Sequence, residues 1–284
     1  SIDLSEELKL LFPFAKRFIA GENLEDASEQ IAHLEKQGFR VALNLVGESS
    51  NTKEEALHAQ NEYLKALKLF PRETLSLSIK PSLLSLNYSI KDCLEYLTPI
   101  VEIAHRSNQK IRFDMESSAI TDSTIEICQR LNKSFPNVIG LALQANLFRT
   151  SDDLVALKSE NISIRLVKGA YREDKSIAFI SMNEIRDNFL KLADILLSYQ
   201  SDHDALATHD ELILNSLLND NIGNRIAFEF LFGVRRDLQH KLNKKHSVGI
   251  YLPYGSDWLP YTMRRLSEWK NIKFVYRNLS LIHI

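Results

Sequence analysis

The sequence predicts an α/β protein built as a single (β/α)8 barrel of the TIM type, and three observations lead there. Short apolar or β-branched runs recur eight times, and stretches of helical period separate them. No linker, low-complexity tract or charge block interrupts the 284 residues, a length long for one sandwich or bundle but usual for one barrel.

Residues 1–39 read as an N-terminal helical section, with helices over Ser5–Phe18 and Leu24–Gln37 that would cap the barrel bottom or its rim. The barrel proper occupies 40–284. Its strands are expected at Arg40–Val46, Thr74–Lys80, Lys110–Met115 and Val138–Gln144, then Ile162–Lys168, Asp204–Thr208, Ile226–Phe232 and Val248–Leu252. Their cores are apolar enough to be buried on both faces. Helical period is clear over Thr52–Leu69, Ile90–His105, Ser123–Lys133, Asn183–Tyr199 and Leu212–Leu218.

The last strand runs into a helix within Tyr251–Glu268, with Asp257 as its cap and Pro260 in its first turn, where a missing N–H costs nothing. Tyr261, Arg264, Arg265 and Glu268 share one stripe of that helix; Leu259, Met263 and Leu266 share the opposite one. If the apolar stripe packs the helix down, the other face offers two guanidinium forks beside an aromatic ring. Arg grips a carboxylate bidentately, so this face suits one small carboxylate ligand; a solvated face with an Arg264–Glu268 pair is the plainer alternative.

Composition narrows the function classes. Hydrophobic residues make up 44% of the chain, ample for a large core. The net charge is −2 with no polybasic run, which argues against a nucleic-acid partner. No apolar stretch approaches the length of a membrane span, and the N-terminus is amphipathic rather than signal-like. Cys93 and Cys128 read as free, buried thiols of a reducing compartment, hence a cytoplasmic protein. The start at Ser1 without Met is expected of a trimmed or processed chain.

A barrel should gather its chemistry at the C-terminal ends of its strands. Lys80 ends the second strand, Asp114 and Met115 the third, and Gln144 the fourth. Arg165 and Lys168 lie on the fifth, which continues into Gly169-Ala170-Tyr171. Thr208-His209-Asp210 end the sixth, Glu229 sits on the seventh and Tyr251 on the eighth. Cations concentrated at one mouth, in a chain slightly negative overall, imply an anionic ligand. Asp202-His-Asp204 with His209-Asp210 supplies metal-binding residue types, but at no fixed helical spacing, so no metal is expected.

Four blocks in order then resemble one family closely. Arg165-Leu-Val-Lys-Gly-Ala-Tyr171, Ala207-Thr-His-Asp210, Phe228-Glu-Phe-Leu-Phe-Gly233 and Tyr251–Glu268 are similar to proline dehydrogenase, with Arg17–Glu22 and Gly38–Glu48 matching its N-terminal section. Arg172 and Ala-Thr-His-Asp resemble its short, single-function bacterial branch. The resemblance implies a distorted barrel with the final helix over the mouth, FAD as cofactor, and oxidation of L-proline to Δ1-pyrroline-5-carboxylate. It also implies a quinone acceptor and peripheral contact with the inner face of the cytoplasmic membrane, although no strongly basic amphipathic helix is evident. Another FAD-binding barrel oxidoreductase and a non-catalytic barrel are the competing readings.

By the same resemblance, Lys80, Arg264 and Arg265 would hold the substrate carboxylate and Glu268 would steady the arginines. Tyr251, Tyr261, Leu231 and Ala170 would wall the proline ring. Asp114, Met115, Gln144, Arg165, Val167, Lys168, Gly169, Ala170, Tyr171, Thr208 and His209 would meet the flavin, with Lys80, Asp114, Arg165 and Lys168 closest to catalysis. Related short members carry lysines toward the cofactor phosphates between Tyr171 and Asn188. Here Ile180-Ser-Met-Asn183 stands instead, which predicts a missing cation and weaker flavin binding.

Overall fold

The structure, a computed structural model, describes residues 15–199, 201, 203–219, 222 and 226–271. The expected helix Ser5–Phe18 falls mostly outside them. Helix α1 (Leu24–Lys36) comes first, its N-terminus capped by the Asn23 side chain, which accepts from the Asp26 N–H. The strands are β1 (Arg40–Leu45), β2 (Leu75–Ile79), β3 (Lys110–Phe113) and β4 (Ile139–Gln144), then β5 (Ser163–Val167), β6 (Ala205–Ala207), β7 (Ala227–Leu231) and β8 (Val248–Tyr254). All neighbours pair in parallel, and β1 pairs with β8 to close the barrel.

Each strand is followed by a helix. These are α2 (Lys53–Leu69), α3 (Ile90–Arg106), α4 (Thr121–Ser134) and α5 (Thr150–Ser159), then α6 (Met182–Ser198), α7 (Glu211–Asn219), α8 (Arg236–Asn243) and α9 (Trp258–Asn271). Capping boxes start α2 (Thr52 with Glu55) and α6 (Ser181 with Glu184). α5 and α8 are the helices that periodicity did not single out. α5 is short and buries Thr150 and Lys158 beside Leu154 and Leu157, and α8 carries few apolar residues.

Strand alternation divides the core in two. Val41, Leu43, Leu75, Leu77, Ile111, Phe113, Leu141, Ile164, Leu166, Phe228 and Ile250 belong to the large apolar core between strands and helices. The alternate positions turn into the barrel and are small or polar: Ala42, Ser76, Ser78, Arg112, Gly140, Ala142, Arg165, Ala205, Glu229, Gly249 and Tyr251. Side chains bond straight across this interior, from β3 to β7 and from β5 to β2. Small residues leave the room that the long polar ones fill.

The N-terminal section does two jobs. α1 packs against β1 and β8. Residues 15–22 lie instead at the C-terminal end of β8, where Ala20 N–H donates to Pro253 O (2.7 Å) and Gly255 N–H to Gly21 O (3.0 Å). Ala15, Phe18 and Ile19 pack with Val46, Trp258 and Tyr261, which seats α9 on this segment. The Trp258 indole donates to Glu22 at 2.9 Å. Cys93 and Cys128 are both buried and free, and burial pushes the Cys93 thiol up to about 12. Among the described residues no helix is long and apolar enough to cross a membrane.

Candidate active site

The interior polar residues form one connected network. Arg165 on β5 donates through Nε to Glu229 (2.5 Å) and through Nη1 to Asp114 (2.9 Å) and Ser78 Oγ (2.8 Å). The other Glu229 oxygen accepts from Arg112 Nη1 at 2.9 Å, and Arg112 Nη2 donates to the His203 carbonyl. Asp114 also accepts from the Ser78 hydroxyl (2.7 Å) and the Tyr251 hydroxyl (2.6 Å). The Arg165 guanidinium lies over the Tyr251 ring, 5.4 Å from its centroid. Two guanidiniums and two carboxylates balance, which is what makes so much buried charge tolerable.

The titration directions follow. Burial alone would raise the Glu229 carboxyl, but Arg165 and Arg112 outweigh it and hold Glu229 below the usual carboxylate range. Burial likewise works against a charged Arg165, yet Glu229 and Asp114 prevail and hold it up. Burial and the Asp114 carboxylate push the Tyr251 phenol well above its usual value, so it stays a neutral donor.

Around this network stand the remaining mouth residues. Lys80 follows β2, and its Nζ approaches the Gly47 carbonyl at 3.4 Å. Burial pulls its pKa below the usual lysine range; Asp114 and Glu116 oppose this, and Arg264 and Arg265 add to it. Glu116 accepts from both the hydroxyl (2.6 Å) and N–H (3.2 Å) of Ser82, pinning the turn that carries Lys80. Gln144 is buried and donates to the Glu116 carbonyl at 2.9 Å. Met115 and Thr208 are buried, Val167 is half-buried, and Ala170 and Tyr171 are exposed at the rim. His209 Nε2 accepts from the Leu231 N–H at 3.2 Å, which puts the ring proton on Nδ1.

Gly169 has φ +110°, a conformation that favours glycine, and an added Cβ would lie 2.1 Å from Asn146 Oδ1. The demand for glycine here thus comes from its own backbone and from Asn146. Lys168 Nζ lies 3.1 Å from Asp210, whose same oxygen accepts from Arg186 Nε at 2.9 Å. Arg186 therefore brings a second cation to this side of the mouth, one turn beyond Met182. It lies just beyond the 180–183 stretch, where the sequence holds no lysine.

α9 lies across the mouth. Arg265 is near enough to act on both Lys80 and His209, and Arg264 pairs with Glu48 at 3.7 Å. Its packing differs from the expected stripe in one respect. Trp258, Tyr261 and Thr262 are the buried positions, with Leu259 and Leu266 partly buried, whereas Met263 is exposed. Tyr261 thus anchors the helix as well as facing the site, because the aromatic pair Trp258/Tyr261 offers more apolar area to Phe18 and Ile19 than Met263 could. The Glu268 side chain lies outside the described residues. So does Asp202; Asp204, at the far end of β6 from His209 and Asp210, is buried against Lys158 at 2.8 Å.

The proline dehydrogenase family model matches residues 27–277, most of the chain. The chain belongs to the proline dehydrogenase family. It is 30% identical to Proline dehydrogenase 2 of Bacillus subtilis over 275 residues, covering 94% of this chain and 90% of that one. It is also 30% identical to Proline dehydrogenase of Deinococcus radiodurans over 282 residues, covering 95% and 91%. Such relatives place it with the short bacterial proline dehydrogenases. Among solved structures, proline utilization A from Bdellovibrio bacteriovorus, inactivated by N-propargylglycine, matches with a TM-score of 0.82 at 20% identity. That match covers 93% of this chain and 33% of the larger one, and it shows a shared fold.

Proposed function

We propose that this proline dehydrogenase family member binds FAD and L-proline at the barrel mouth and oxidises proline there. The observation that carries the reading is a set of unused buried donors. Arg165 Nη2 and His209 Nδ1 have no hydrogen-bond partner among the described residues, although Arg165 is 3% exposed. A buried donor left unmade costs about 1–3 kcal/mol, so two such donors facing one mouth support a ligand that accepts from both. Their chemistry fits a flavin, whose ring edge presents acceptors and becomes anionic on reduction. Lys168 stands beside the same edge, and Arg186, held next to it by the shared Asp210 carboxylate, adds a cation that fits the cofactor phosphates.

FAD, when bound, supplies the two-electron acceptor for hydride from proline C5, which yields Δ1-pyrroline-5-carboxylate. Lys80, Arg264 and Arg265 bind the carboxylate and so orient the ring. Tyr251, Tyr261, Leu231 and Ala170 wall the ring, and positioning of this kind carries much of hydride-transfer catalysis. Asp114 holds the Tyr251 hydroxyl and Arg165 in place. α9 over the mouth excludes water from the bound substrate. The family resemblance supports a quinone as onward acceptor and peripheral contact at the inner face of the cytoplasmic membrane.

The purified protein should show an oxidised-flavin absorption spectrum that L-proline bleaches under anaerobic conditions. A colourless protein that cannot be reconstituted with FAD refutes the reading, and flavin that proline leaves oxidised refutes its substrate.

A further inference from the structure

We infer that Glu229 and Arg112 are positioning residues that orient Arg165 and set the charge felt by the bound flavin; this rests on the functional reading above. Both lie below the mouth, within their strands, although the sequence grouped Glu229 with the strand-end residues. Arg112 points into the barrel from β3 and lines a cavity of about 40 Å³ at the N-terminal ends of the strands, with Arg40, Ser76 and Lys110. Glu229 stands between it and Arg165, one carboxylate oxygen on each guanidinium, at 2.9 Å and 2.5 Å.

The bonding pattern decides which Arg165 nitrogen faces a ligand. Nε is taken by Glu229, and Nη1 by Asp114 and Ser78. Nη2 alone of the three lacks a partner among the described residues. A guanidinium is a rigid planar fork, so fixing two of its nitrogens fixes the third. Glu229 therefore selects the free donor, and Arg112 holds Glu229 from behind by occupying its second oxygen.

Charge runs along the same line. Arg112, Glu229, Arg165 and Asp114 sum to zero. Replacing Glu229 by Gln leaves the set at +1, which stabilises an anionic reduced flavin; replacing Arg112 by Gln leaves it at −1, which does the opposite. With only 11% and 12% of the Arg112 and Glu229 side chains exposed, one charge at this remove is felt as roughly a tenfold change in an equilibrium.

The test is the midpoint potential and sulfite affinity of FAD-loaded wild type, Glu229→Gln, Glu229→Asp and Arg112→Gln, with proline kinetics alongside. Sulfite adds to oxidised flavin and is favoured by nearby positive charge. Glu229→Gln should shift the potential positive and bind sulfite about tenfold tighter, and Arg112→Gln should shift both the other way. Glu229→Asp keeps the charge but shortens the reach, so its potential should stay near wild type while kcat falls more than KM rises. Shifts of the same sign in Glu229→Gln and Arg112→Gln, or no shift, overturn the inference and leave the functional reading standing. If Arg112→Gln does not fold, an unshifted Glu229→Gln or a shifted Glu229→Asp is enough to overturn it. Wild type that holds no FAD overturns both.

Discussion

Tyr251 and Asp114 are joined across the barrel mouth by a 2.6 Å hydrogen bond, the phenol of β8 donating to a carboxylate just beyond β3. Arg165 contacts both partners, one by a salt bridge and one through the ring face. The ring is therefore held in place before any substrate arrives. A fixed aromatic wall discriminates by exclusion, since added substituents meet a surface that cannot give way.

The first prediction follows from that wall. Tyr251→Ser should lower kcat/KM for proline and narrow or reverse the preference over 4-hydroxyproline, because removing the ring opens room for the extra hydroxyl. A pocket change of this size shifts selectivity by about 1–3 kcal/mol. Tyr251→Phe, which keeps the ring and loses only the bond to Asp114, should retain selectivity. Paired kcat/KM measurements on both substrates decide it; equal selectivity in wild type and Tyr251→Ser removes Tyr251 from the choice.

Arg265→Met tests the carboxylate clamp. Losing one charge-assisted fork should weaken proline binding by about 2 kcal/mol, roughly 30-fold in KM, with flavin content unchanged. An unaltered KM would show that Arg265 is no substrate ligand.

His209 gives a pH signature. Burial, with Arg265, Arg235 and Lys168 nearby, pushes its pKa down to about 3. The unfolded chain takes up the proton near pH 6.5 and the folded one does not, so unfolding binds a proton between these values. Stability should be fully present above about 6.5 and fall by about 1.4 kcal/mol per unit as pH drops toward 3. Denaturant titrations of His209→Asn across this range should show a correspondingly shallower dependence; an identical slope would place the proton uptake elsewhere.

Gly233→Ala should loosen the support of α9. Gly233 has φ +78°, and an added Cβ would lie 1.7 Å from the Arg17 carbonyl oxygen, a backbone atom that cannot swing aside. Residues 15–22 must then shift, and they carry Phe18, Ile19 and Glu22 against α9. A loss of about 2 kcal/mol or more in unfolding free energy is expected, with a raised proline KM. A variant with wild-type stability and KM would separate the N-terminal segment from the site.

The order of the elements and the gathering of polar residues at the strand ends were legible in the sequence, because local period reports strands and helices and in a barrel the strand ends all arrive at one place. The strands read as apolar on both faces, and the polar inward face formed by Ser78, Arg112, Arg165 and Glu229 was not legible. Strand limits shifted by a residue or two, as at Lys80 and Met115, which lie just beyond the ends of β2 and β3. What the tertiary structure alone decided are the partnerships. Glu229 meets Arg112 across 117 residues and Arg165 across 64, and Tyr251 meets Asp114 across 137. No periodicity encodes such pairs, because barrel closure sets them rather than any neighbouring residue. The same holds for α9, whose anchoring by Tyr261 in place of Met263 depends on residues 15–19 of the distant N-terminal segment. Arg186 reaches Asp210 because parallel β5 and β6 bring the start of α6 beside the end of β6.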